Sequence, residues 1–209
     1  MSVLTKHLLS KGLSDFEGHC QQLPSQVRHL AALIINCKVK DVLEIGFNAG
    51  HSAEVFLSLG TNVNSYDIGD HGYVLEGKRF IDQVFPKKHT LVIGDSKITI
   101  PMDDNKYDCF FIDGGHDVET AYADLKNCFA CASPGALVIM DDVVRGDCAS
   151  WNLGPNKAWA DAIENKLVVS VYQVNFPELP GRGMAIGLYD NGKVEDMQKT
   201  IDIILRLIQ

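Results

Sequence analysis

Four residues capable of chemistry gather at two points of the sequence. Asp113 and His116 belong to Phe110-Phe-Ile-Asp-Gly-Gly-His-Asp117, and Asp141 and Asp142 follow the run Ala136-Leu-Val-Ile-Met140. The acids close apolar stretches, where an unpaired carboxylate is costly. Brought together, Asp113, Asp141 and Asp142 would repel one another unless protons or a cation neutralise them. A hard divalent ion with oxygen ligands, Mg2+ first, is one solution, and it would lower the pKa of a hydroxyl bound to it. His116, whose ordinary pKa lies near neutrality, is then the candidate general base. The alternative has Asp113 meeting an organic ligand while Asp141 and Asp142 cap loops, with His116 only a helix-start residue on a pocket wall.

A second cluster lies earlier, in Asp41-Val-Leu-Glu-Ile-Gly-Phe-Asn-Ala-Gly-His-Ser52. An apolar strand, a glycine turn and a helix start follow one another here. Glycine lets backbone approach a ligand closely, and a helix start presents unpaired N–H groups. The spacing is Glu44-x-Gly46-x-x-x-Gly50. A dinucleotide fingerprint would need a further glycine where Asn48 stands. Asp67, 17 residues beyond Gly50, is placed to accept hydrogen bonds from ribose hydroxyls.

The elements that must position these residues can be read from hydrophobic period and turn residues. Helical stripes cover 3–14 and 21–36. Strand 42–46 precedes helix 51–59, and strand 62–68 precedes helix 73–84. Strand 89–95 leads through a short connector to strand 107–113, which precedes helix 117–131. Strand 135–141 is followed by a loop and a helix near 156–166. Such alternation predicts a parallel sheet with helices on both faces, whose ligands lie beyond the carboxyl ends of the strands. Val168–Asn175 and Met184–Tyr189, joined by Phe-Pro-Glu-Leu-Pro-Gly-Arg-Gly, read as an antiparallel pair. A last helix carries Val194, Met197, Ile201, Ile204, Leu205 and Ile208 on one face. That face could pack within the subunit or across a homodimer. The loop 143–157, with Arg145, Asp147, Trp151 and Asn152, is either a substrate wall or ordinary surface, while Trp159 fits the core.

The chain has 209 residues, 46% hydrophobic and 22% charged, as expected of one globular domain. We expect residues 1–36 to be a helical cap, 40–145 a ligand-binding core, and 146–209 the substrate-side loop with the last strands and helix. A net charge of −8 with scattered basic residues argues against a nucleic-acid partner. Six cysteines, with Cys128 and Cys131 spaced as CxxC but lacking a second pair, read as buried reduced thiols. No signal-peptide pattern or membrane-length apolar run is evident, so a cytoplasmic setting is expected.

Glu44 to Ala53 and Phe111 to Asp117 resemble the small S-adenosylmethionine (AdoMet)-dependent methyltransferases of the methyltransferase-24 family. These are similar to the catechol-type and macrolide-sugar O-methyltransferases. The resemblance implies a Rossmann-like class I fold, α/β, with a seven-stranded mostly parallel sheet. It implies AdoMet at Glu44, Gly46, Asn48, Gly50, Ser52, Asp67 and Asp113, with Asp95 and Ser96 in a Gly-Asp-Ser signature near the adenine amino group. For metal-dependent members it implies Asp113, Asp141 and Asp142 as ligands. The catechol-type lysine has no counterpart here, and Asp141-Asp142 replaces the usual Asp-Asn. The expected reaction is methyl transfer to a hydroxyl of a small molecule. An NAD-dependent oxidoreductase or a non-catalytic AdoMet-binding module are the other readings.

Overall fold

A computed structural model describes residues 2–13, 21–146 and 148–207. Seven strands form one sheet: β1 (Asp41–Ile45), β2 (Asn62–Asp67), β3 (His89–Ile93), β4 (Tyr107–Ile112), β5 (Ala132–Asp141), β6 (Val168–Asn175) and β7 (Gly183–Tyr189). Their order is β3-β2-β1-β4-β5-β7-β6. The first five are parallel, and β7 runs antiparallel to both β5 and β6. The chain steps outward from β1 to β3 and then returns to the other side of β1. Order therefore reverses between β1 and β4, where a ligand crevice opens.

Period-two alternation sorts the side chains into two cores. Val42, Val63, Cys109, Phe111, Leu137 and Ile139 face α1 (Val3–Ser10), α2 (Pro24–Asn36), α3 (His51–Ser58), α4 (Val74–Val84) and α8 (Val194–Arg206). Leu43, Ile45, Phe110, Ile112, Val138 and Met140 face the helices α6 (Val118–Cys131) and α7 (Leu153–Glu164). Trp159 is in this second core, 1% exposed. Cys128 and Cys131 are buried free thiols. Cys20 lies outside the described residues, as do Asp147 and Ile208.

Two elements differ from the sequence reading, each for a local reason. The connector after β3 contains a short helix, α5 (Ser96–Thr99), and a 3-10 turn Ile100–Met102. Asp95 starts it by accepting from the Lys97 amide. Helix α7 begins at Leu153 rather than near 156, because Pro155 falls in its first turn, where no intrahelical donor is required. On α8, Met197 and Ile204 are buried against the first core, whereas Val194 and Leu205 are exposed. Met197 and Ile204 of α8 thus pack within the subunit. Among the described residues, no helix is long and apolar enough to cross a membrane.

Candidate active site

A cavity of about 770 Å3 opens at the carboxyl ends of β1, β2, β3 and β4, within the size range of small-molecule sites. Register explains its floor. Ile45 pairs with Ile112, so Gly46 and Asp113 leave the sheet side by side. A Cβ on Gly46 would lie 1.9 Å from the Asp113 carbonyl oxygen, and its φ of +88° suits glycine. The turn ends at Gly50, which adopts φ +93° at the N-cap of α3. Asp67 ties this turn to β2. Its Oδ2 accepts from the Asn48 amide and its Oδ1 from the Gly69 amide, both at 2.7 Å. The carboxylate is thereby fixed on the cavity wall with lone pairs left for a vicinal diol.

The proposed cofactor residues divide into two sets. Gly46, Asn48, Ser52, Asp67, Asp95, Ser96 and Asp113 line the cavity. Glu44 and Gly50 do not. Glu44 is fully buried and accepts from the Ser52 and Ser65 hydroxyls, so it acts on the cavity only through Ser52. Burial pushes its carboxyl up to about 7. Ser65 also meets Nε2 of His89 at 2.9 Å. With the Ser65 proton given to Glu44, His89 must donate from Nε2 as a neutral ring. Burial, chiefly, depresses His89 to about 4.

The acidic cluster is not the one expected from the sequence. Asp141 shares the sheet face of Leu137 and Ile139 and therefore points beneath α2. There Gln26 Nε2 donates to its two carboxylate oxygens at 3.2 and 3.4 Å. Burial, with Asp113 and Asp142 nearby, raises its pKa well above the usual carboxylate range. Asp142, at φ +58°, turns instead toward the cavity. The donor atoms that do converge, all within 4.8 Å of one another, belong to Asp113, His116 and Asp142. Among the described residues, His116 rather than Asp141 completes this group.

His116 Nε2 lies 3.1 Å from Asp142 Oδ2. That hydrogen bond raises the histidine pKa above its ordinary value against the opposing effect of burial. Asn152 is a brace rather than a substrate contact. It is fully buried and donates to the Asp142 and Gly181 carbonyls at 2.7 and 2.9 Å. Arg145 hydrogen-bonds Gln173 outside the cavity, while Trp151 lines it.

Arg182 brings a cation to the acidic pair that sequence reasoning did not foresee. Its Nη1 is 3.7 Å from Asp141 Oδ2 and 3.8 Å from Asp142 Oδ1. The only sequence signal was an arginine between Gly181 and Gly183 in the link joining β6 to β7. Leu179 and Pro180 from the same link extend the cavity wall beside Trp151.

A family model described as a methyltransferase domain, of the methyltransferase-24 family, matches residues 43–143. Residues 43–143, a little under half of the chain, are thus similar to a methyltransferase domain. No curated protein matches the chain. Solved methyltransferases share its fold. A Bacillus cereus O-methyltransferase in complex with S-adenosylhomocysteine (SAH) is 17% identical, with a TM-score of 0.70 over 90% of this chain and 91% of that one. The SAH-bound Podospora anserina methyltransferase PaMTH1 is 17% identical, with a TM-score of 0.71 over 90% and 88%. TomG, an O-methyltransferase of Streptomyces achromogenes involved in tomaymycin synthesis and complexed with AdoMet, is 15% identical, with a TM-score of 0.67 over 89% and 87%. The low floor at Gly46 and the amide-held Asp67 carboxylate have the shape and the acceptors to fit a nucleoside at the switch point of the sheet.

Proposed function

We propose that the enzyme methylates a hydroxyl oxygen of a small molecule, with His116 as general base oriented by Asp142. The observation that carries this reading is the His116–Asp142 pair, 3.1 Å apart, on the wall of the cavity whose floor is Gly46 and Asp113. The solved relatives described as O-methyltransferases support oxygen as the acceptor atom. Bound AdoMet supplies an electrophilic methyl group on a sulfonium. Asp142 accepts from His116 Nε2–H and leaves Nδ1 as the basic nitrogen. The acceptor hydroxyl gives its proton to Nδ1 as its oxygen bonds to the methyl carbon and the carbon–sulfur bond breaks. Trp151, Leu179 and Pro180 give the acceptor an apolar wall. The net charge of −8 and the acidic lining favour a small organic acceptor over nucleic acid.

A second reading adds a divalent ion, favoured by the convergence of Asp113, His116 and Asp142. A mixed nitrogen and oxygen donor set suits Mn2+ better than the Mg2+ expected of three carboxylates. The ion would lower the pKa of the acceptor hydroxyl. Methyl-labelled AdoMet incubated with a panel of phenols, sugars and hydroxy acids tests the reaction. Label recovered only on nitrogen or sulfur acceptors would refute the oxygen assignment. EDTA separates the two readings. Activity that survives it leaves His116 as the base, and activity restored by added Mn2+ supports the ion.

A further inference from the structure

Asp124 lies on α6, is fully buried, and does not line the cavity. Its Oδ1 accepts from the Ser96 hydroxyl at 2.6 Å. Its Oδ2 has no hydrogen-bond partner among the described residues. It lies under Gly114, where an added Cβ would come within 3.0 Å of it. A half-satisfied carboxylate directly behind a ligand cavity is costly to keep. What it contributes is the orientation of Ser96, which does line the cavity.

We propose that Asp124 is a positioning residue that makes the cavity select a 6-amino purine over a 6-oxo purine, by fixing Ser96 as a hydrogen-bond acceptor. An ionised carboxylate only accepts, so the Ser96 proton is committed to it. Burial raises the Asp124 carboxyl to about 6, which leaves it ionised at pH 7.5. The lone pairs of Ser96 then face the cavity and can receive an amino N–H. A carbonyl at the same place meets lone pair against lone pair. Such polarity gives strong discrimination, because the rejected ligand leaves polar groups unpaired.

The placement of the base rests on the AdoMet reading above. With the ribose at Asp67, the base would reach Ser96, because the Gly94 amide donates to the Asp67 carbonyl at 2.8 Å and so seats the start of α5 beside that strand end. All of these residues share the one cavity.

The test is calorimetric binding of SAH and its deaminated analogue S-inosylhomocysteine, at pH 7.5. Wild type is expected to prefer SAH by at least about tenfold, one hydrogen bond's worth. Ser96→Ala and Asp124→Asn should each reduce that ratio to within about threefold, since an amide can return the serine proton to the cavity. Asp124→Ala, which also frees that proton, replaces the asparagine variant if the latter does not fold. A wild type that binds both compounds equally overturns the inference, and so do variants that keep the wild-type ratio. Those outcomes leave methyl transfer intact. Failure to bind either compound would remove both readings together.

Discussion

At the scale of single residues, the site is governed by how carboxylates find neutralising partners. His116 pairs with Asp142, Gln26 with Asp141, and Arg182 with both acids. His116→Ala is expected to lower kcat by about 10²- to 10⁴-fold while leaving SAH affinity within twofold, as steady-state rates and calorimetry would show. Equal losses in both would make His116 a binding residue instead. Arg182→Leu leaves Asp141 and Asp142 without their cation and should destabilise the fold by about 3 kcal/mol, measured by urea unfolding. Asp141→Asn in that background should recover part of the loss. No recovery would mean that the guanidinium does not offset Asp141. Arg182 was invisible as a site residue because it stands far along the chain from Asp142. Only the insertion of β7 beside β5 brings it to the site.

At the scale of elements, close backbone approach sets the geometry. The head of α7 rests on the turn that carries His116, and a Cβ at Gly154 would fall 2.0 Å from the His116 carbonyl oxygen. Gly154→Ala should therefore displace His116, lowering kcat more than tenfold with AdoMet affinity preserved. A variant with normal kcat would show that this contact is slack. The sequence foretold most elements because buried parallel strands read as apolar runs and glycine turns separate them from helices. The direction of Asp141 was also encoded, in its alternation with Leu137 and Ile139. What alternation does not say is which helix covers that face. The answer, α2 with its Gln26, comes from tertiary packing.

At the scale of the whole molecule, buried titratable groups set how stability varies with pH. Glu44 has a folded pKa of about 7, above the ordinary 4.5. Its neutral form is favoured by folding, so its contribution is complete below 4.5 and lost as pH rises through 7. His89, lowered to about 4, has the opposite sign. Its contribution is complete above 6.5 and is lost as pH falls toward 4. Glu44→Gln removes the first slope. Relative to wild type, the variant should gain stability between pH 5 and pH 8, read as a Tm difference that grows with pH. A constant difference would show that Glu44 does not titrate in that window.

The placement of β7 between β5 and β6 has a further consequence for a chain emerging from the ribosome. Until the final third is synthesised, β5 is an unprotected sheet margin, and Asp141 and Asp142 lack the arginine that offsets them. The cavity floor at Gly46 and Asp67 can close early in the nascent polypeptide, but the acidic end of the cavity cannot settle before the late strands arrive. A ligand already present could therefore chaperone the half-made protein through that interval.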